Sequence, residues 1–481
     1  MTNETTNPFP SAESAGLPIA DTNNNPIIVG LDIGTTKIAA IAGRKNEYGK
    51  IEILGFGKAT SHGVKHGMVL NIDKTISAIE QALENCYKSN PNLSIKEVYV
   101  GIAGHHIKSL QTRGDIVRPN NDEEISQKEV DRLIGEQYQT YIPAGDQIID
   151  VIAQEYTVDN FQNIPNPIGY SGVKVGANFH IITGDRNAIR NINRSVEKSK
   201  LKVKDLVLQP LASAAAVMCE HDLEAGVAIV DIGGGTTDLA VFYEGILRAT
   251  AVIPFGGENI TNDIKMGLGV LRTQAEQMKV QFGSALAEET KANAFITIPG
   301  IRGLAPKEIS VKNLANIIQA RMTEIMDFVT YHLKQIGLDN KLLNGGVILT
   351  GGGSQLKHLI QLTEYVTGLN ARIGYPNEHL AAGHIEELAN PMYSTCIGLI
   401  LKGQNVYESS LNGIRLQPKP EVVTELPAVA AEALVVEEPV GGKTLIYKQK
   451  NGGRMTLKQF INNMKINIID LFQEEEDKKL Q

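Results

Sequence analysis

From Ile27 onward the chain alternates short β-rich apolar runs with tight polar turns. IIVGLDIGTTKIAAIAG is two such runs joined by a Gly-Thr turn, and its lack of helical period predicts a buried hairpin. VAIVDIGGGTTDLAVF, 227–242, repeats the pattern: an Asp closing one apolar run, a Gly/Thr turn, then a second run. Setting Asp32 on Asp231 gives an offset of 199 residues, which predicts two related halves rather than a short-period array. Between the copies, apolar positions 72, 76, 79 and 83 predict a helix over 72–87. A block at 94–175 follows neither pattern. It holds strand-like IKEVYVGIAG, a helix opening at Ser126 on a Ser-x-x-Glu capping box, strand-like QIIDVIAQEYTV and the loop NIPNPIGYSG, which together predict an inserted α+β subdomain. Helices are expected at 274–282 and 311–335, and GVILT running into GGGSQLKHLIQLTEYV reads as strand, glycine turn, helix.

The two ends differ from this core. Residues 1–26 are rich in Asn, Thr, Ser and Pro, with no apolar run of signal-peptide length, and read as a disordered tail. Residues 411–453, including PKPEVVTELPAVAAEALVVEEPVGG, read as a solvated linker. Nowhere does an uncharged apolar stretch reach the ~18 residues of a spanning helix, so membrane contact is expected to be peripheral. For 454–473 a helical wheel puts Leu457, Phe460, Ile461, Met464, Ile468, Leu471 and Phe472 in one apolar stripe, with Lys458 and Lys465 flanking it. That pattern predicts an amphipathic helix lying in a membrane surface, its lysines snorkelling. EEED at 474–477 weakens attraction to anionic lipid. One such helix adsorbs only marginally, so firm anchoring needs many copies acting together.

Composition narrows the class. With 481 residues, 42% hydrophobic and 21% charged, the chain is an ordinary globular protein of several domains. A formal charge of −8 argues against a general nucleic-acid binder, and no nucleic-acid partner is expected. Three scattered cysteines, Cys86, Cys219 and Cys396, argue against a disulfide framework or a Cys-ligated zinc and fit a reducing cytoplasm.

DIGTTK and DIGGGTTD carry the candidate chemistry. Glycine permits close approach, so a Gly/Thr turn can aim backbone N–H groups and the hydroxyls of Thr35, Thr36, Thr236 and Thr237 at phosphate oxygens. An Asp beside each turn, Asp32 and Asp231, can hold magnesium through its waters, while Lys37 adds a point charge. One copy could be only a tight hairpin; two in corresponding places would line a cleft. LTGGGSQL at 349–356 follows a strand and is expected to open a helix whose amides face an anion or a nucleoside. No Walker A spacing follows it.

These two hairpins, with LQPLASAAAV, AEQMK and LTGGGSQL, resemble the actin-like ATPase superfamily. Within it VYVGIAGHHI, IGYSGVKV, RMTEI and YSTCIGLI resemble the FtsA family of bacterial cell-division proteins. The resemblance covers about 27–403 and the last helix. It implies an α/β, two-lobed actin-like fold, a duplicated ribonuclease-H-like unit with an inserted SHS2-like subdomain and a C-terminal amphipathic helix. Lobe 1 would comprise 27–93, 176–215 and 385–410, the insert 94–175, the lobe 2 core 216–262 and 343–384, and its second subdomain 263–342. ATP and Mg2+ would sit in the cleft, with Asp32 and Asp231 on the metal's water shell. Gly34, Thr35, Thr36, Lys37, Gly233, Gly234, Gly235, Thr236 and Thr237 would surround the phosphates, Gly257 would also contact the nucleotide, and Gly351, Gly352, Gly353 and Ser354 would back the adenosine. Glu276 and Lys279 would touch the ribose, although the pair also reads as an i,i+3 ion pair.

Chaperone-type and rod-shape relatives carry Glu-Pro where this chain has Gln209-Pro210. A glutamine can orient water but cannot accept its proton, so slow or negligible ATP hydrolysis is expected. The family further implies filaments of the chain with itself and peripheral location on the cytoplasmic face of the inner membrane at the division site. The C-terminal peptide of FtsZ, the tubulin-like GTPase, would dock at Arg321, and later division proteins on the insert. Sugar and acetate kinases, chaperones and pilus-assembly ATPases share the two hairpins. Nothing marks a substrate base or a β-rich peptide domain; the pilus-assembly reading is separated only by the terminal helix.

Overall fold

The computed structural model describes residues 25–119, 123–291, 293–300, 305–337, 342–383 and 385–411. The tail through 24, the linker from 412 and the amphipathic helix expected at 454–473 lie outside the described residues.

Ile28–Ile33 is buried at every position and forms the centre of a five-stranded sheet. It pairs antiparallel with Lys37–Lys45, which pairs antiparallel with Ile51–Thr60. On its other side run Glu97–Ile102 and Lys202–Leu208, both parallel. A second sheet repeats this order. Val227–Ile232 is antiparallel to Thr237–Tyr243, which is antiparallel to Ile246–Ile253, and parallel to Gly346–Thr350, with Ala371–Ile373 beyond. Unbroken apolar runs are what strands covered on both faces require.

The duplication extends to register. Ile33 faces Ile38 and Ile232 faces Thr237. The first N–H of each turn donates to its last carbonyl, Gly34 to Lys37 at 3.0 Å and Gly233 to Thr236 at 2.9 Å. The offset of 199 therefore holds through both hairpins.

Helices Ile72–Ser89 and Arg186–Lys198 cover one face of the first sheet and Ser394–Leu411 covers the other. Helix Gln209–Val217 lies between the lobes. Pro210 suits its first turn, and its small side chains let it approach closely. Ala212, Ala214 and Ala216 share one core with Ile28 and Ile41 of the first lobe and Val227, Ile229 and Ile348 of the second. In the second lobe Gly257–Leu268, Val311–Gln335 and Leu359–Thr367 enclose a separate core around Ile260, Ile318, Met322 and Leu362.

The inserted subdomain is an antiparallel sheet ordered Lys108–Val117, Lys174–Asp185, Asp146–Val158, Phe161–Ile164, covered by helix Gln127–Gln137. The Glu129 carboxylate accepts the Ser126 N–H at 3.0 Å, as the capping box requires. Its limits differ from 94–175 at both ends. Glu97–Ile102 hydrogen-bonds into the first lobe's sheet, and Lys174–Asp185 runs the length of the inserted one. A strand's apolar pattern does not name the sheet it joins; backbone pairing does.

Candidate functional site

The two turns meet. A Cβ on Gly234 would lie 2.0 Å from Thr36 Oγ1, and one on Gly235 would lie 2.4 Å from Thr35 Oγ1, so only glycine allows this approach. Residues between the short strands Val64–Lys65 and Met68–Val69 touch both turns. The Gly67 N–H donates to Thr35 Oγ1 at 3.2 Å, and His66 Nδ1 lies 3.1 Å from the Gly235 carbonyl oxygen.

Behind the turns lie the strand-end carboxylates, Asp32 and Asp231, both buried. Gln209 Nε2 donates to Asp32 Oδ1 at 3.0 Å, and Lys37 Nζ stands 3.5 Å from Oδ2 and 4.7 Å above the Tyr393 ring. Asp231 Oδ2 accepts from the Ser213 hydroxyl and from Thr395 Oγ1, the latter at 3.2 Å. Burial pushes the Asp231 carboxyl above its ordinary value, the Ser213 hydrogen bond opposes this, and the negative charge of Asp32 pushes it further up.

Asp238 adds a third. It pairs with Asp231 across the hairpin, is 2% exposed, and is raised by burial and then by the charge of Asp231. Thr236 Oγ1 donates to its Oδ2 at 3.1 Å, while Oδ1 has no partner. Burial thus drives Asp231 and Asp238 toward the neutral carboxyl, and a cation set in front of them would favour the ionised form instead. Among the described residues no three His, Cys, Asp or Glu side chains converge as a metal cage.

Second-lobe residues extend the site. The Gly257 N–H donates to the Gly233 carbonyl at 2.9 Å and the Glu258 N–H to that of Gly234 at 2.7 Å, so helix Gly257–Leu268 starts on the turn. Lys279 Nζ reaches the Gly257 carbonyl at 3.0 Å, Thr261 Oγ1 at 2.9 Å and Glu276 Oε2 at 2.8 Å. The i,i+3 ion pair therefore exists and is hooked onto the turn through Gly257. Gly351 has φ +81°, and a Cβ there would fall 2.2 Å from Asp231 Oδ1. The following turn departs from expectation: Gly352–Gln355 is a 3-10 turn, and the α-helix begins only at Leu359. Gly353 packs on Ile232, and Ser354 Oγ donates back to the Gly351 carbonyl at 2.8 Å. The GGGS backbone thus closes the floor behind Asp231 rather than presenting a helix terminus.

Residues 228–398 match the family model described as cell division protein FtsA, and 104–183 match the SHS2 domain inserted in FtsA. The cell division protein FtsA of Pseudomonas aeruginosa is 36% identical over 385 residues, covering 80% of this chain and 91% of the relative. The chain belongs to the FtsA family. The FtsA of Neisseria meningitidis agrees, at 39% identity over 370 residues, 77% of this chain and 88% of the relative. A solved PilM-PilN type IV pilus biogenesis complex covers 78% of this chain and 98% of its own at TM-score 0.57 and 15% identity, which shows the shared fold alone.

In this FtsA-family chain, sequence reasoning left three polar contacts of the site unassigned. Ser213 and Thr395 lie within the motifs LQPLASAAAV and YSTCIGLI, and Asp238 ends DIGGGTTD; its spacing from Asp231 is the signal, because seven residues across a tight hairpin return a strand to its partner. Arg321, on helix Val311–Gln335, is not a free cation. Its Nε and Nη2 bind Asp263 at 2.6 and 3.1 Å, Nη1 binds Glu324, and the guanidinium lies 5.4 Å over the Phe255 ring.

Proposed function

We propose that this FtsA-family chain binds Mg-ATP between its lobes, polymerises on the cytoplasmic face of the membrane through 454–473, and ties FtsZ filaments to it while the insert receives later division proteins. The observation that carries the nucleotide reading is the meeting of two hairpins of identical register, Gly34–Lys37 and Gly233–Thr236, in front of Asp32 and Asp231. Turn amides and the hydroxyls of Thr35, Thr36, Thr236 and Thr237 would bind phosphate oxygens. Asp32, Asp231 and Asp238 would hold the magnesium's waters, the metal supplying charge neutralisation at the phosphates. Gly257, Glu276 and Lys279 would border the sugar, and Gly351, Gly352, Gly353 and Ser354 would close the base side.

Gln209 limits the chemistry. Its amide donates one N–H to Asp32, it has no carboxylate to accept a proton, and so ATP serves chiefly to set the conformation of the lobes. Full-length protein should take up ATP in a magnesium-dependent way with turnover far below one per second. Asp231→Ala should abolish uptake, and rapid turnover would contradict the role given to Gln209. Deleting 454–481 should release the protein from anionic vesicles; retention would remove the membrane reading.

For FtsZ, an acidic tail would reach Arg321 by exchanging with Asp263 or Glu324. Asp263→Asn should then strengthen FtsZ-peptide binding and Arg321→Glu abolish it, measured by fluorescence anisotropy; indifference to both would place the peptide elsewhere.

A further inference from the structure

The insert belongs to the first lobe by chain order, yet it also grips the second. Its sheet lies against Ile246–Ile253, the edge strand of the second lobe. Gln154 Nε2 donates to the Leu247 carbonyl at 2.6 Å, Gln111 Nε2 to the Arg248 carbonyl at 3.2 Å, and His180 Nε2 lies 2.9 Å from Thr250 Oγ1. The Arg248 guanidinium pairs with Glu155 at 2.5 Å. Beneath these contacts Leu247 joins the apolar cluster holding Ile149 and Ile182 of the insert.

Both partners are shaped for the contact. Val241 pairs with Ala249 but Phe242 with Leu247, which leaves Arg248 bulged out of its ladder. Ala177 pairs with Tyr156 but Phe179 with Ala153, so Gln154 and Glu155 together oppose Asn178 in a second bulge. A bulge frees a carbonyl and re-aims a side chain. Here the guanidinium turned out by one bulge is met by the Glu155 carboxylate of the other, while the Gln154 amide of that second bulge takes the Leu247 carbonyl next to the first.

We propose that this bulge-to-bulge contact is a clasp closing the lobes, so that parting the turns Gly34–Lys37 and Gly233–Thr236 and releasing the insert from Ile246–Ile253 are one event. The abutting turns leave no room for a phosphate between Gly234 and Thr36, so admitting one requires the second lobe to move relative to the first. The edge strand is hydrogen-bonded through Thr237–Tyr243 to the strand that ends in Asp231, so it moves with the second turn. The insert is continuous with Glu97–Ile102, which pairs with Asp32's own strand, so it stays with the first. Occupancy of the cleft would thereby be reported to the insert's surface. The clasp stands on these contacts; only its link to ATP rests on the function proposed above.

The test is amide hydrogen exchange on full-length protein without nucleotide, comparing the native chain with a Gln154→Ala/Glu155→Gln double variant, followed by association of a fluorescent ATP analogue. The clasp predicts that exchange in turns 34–37 and 233–236, remote from the substitutions, quickens roughly ten-fold, the effect of losing one or two buried hydrogen bonds, and that the analogue associates faster by a similar factor. Arg248→Gln, from the other side of the contact, should act in the same direction and serves if the double variant fails to fold. Faster exchange confined to 246–253 and the insert, with both turns unchanged, would overturn the clasp. Loosened turns in a protein that never binds the analogue would leave the clasp standing and remove the nucleotide reading instead.

Discussion

At the scale of single residues, the site is built by pairing polar groups that burial would otherwise leave exposed to cost. Asp32 has Gln209 and Lys37, and Asp231 has Ser213 and Thr395. Two histidines have less of that provision, His106 none and His180 only Thr250. Burial, reinforced by the charge of His105 and opposed by Asp185 and Asp146, pushes the His106 ring down to about 4, and burial pushes His180 to about 4 as well. Both ring nitrogens of His106 and Nδ1 of His180 lack a partner. Between pH 6.5 and about 4 each ring binds more protons unfolded than folded. Their contribution to stability is therefore full above that window and is lost as pH falls through it. Urea midpoints measured from pH 8 to pH 4 should decline on the acid side, and His106→Gln and His180→Gln should each flatten the decline.

At the scale of elements, the hairpins were legible because strand, turn chemistry and strand are local. Asp32 and Asp231 sit at the same place in the two motifs, and the structure keeps that match through both ladders. Helix Val311–Gln335 was equally plain, since its periodic apolar positions face one core. What pattern could not give was partnership. Glu97–Ile102 looked like part of the insert, and GGGS looked like the start of a helix, because nothing local records which sheet accepts a strand or that Gly353 must pack on Ile232. Nor does helix Gln209–Val217 announce that it touches another backbone: a Cβ on Gly398 would sit 1.8 Å from the Ala212 carbonyl oxygen. Gly398→Ala should cost about 3 kcal/mol or more in denaturant unfolding, against under about 1 kcal/mol for an exposed helical glycine, because neither backbone can retreat.

At the scale of the molecule, every core cluster described lies between Ile28 and Ile400. A chain ended after Val422 should therefore keep the thermal midpoint of the whole protein and its ATP binding while losing vesicle pelleting; a drop of several degrees would mean that the terminal segment packs on the lobes. Local pattern alone is enough for the Gly/Thr turns, the unbroken apolar runs of the buried strands and the 3.6-residue spacing of apolar positions at 454–472, each written in residues a few positions apart, and matching one hairpin motif to the other is enough for the duplication. It takes the folded chain to show that Gly234 meets Thr36, that Asp238 lies buried beside Asp231, that Arg321 is paired with Asp263 and Glu324 and that the insert reaches the second lobe. Those facts join residues tens to hundreds of positions apart, and such contacts are fixed by the packing of whole sheets and not by any local preference.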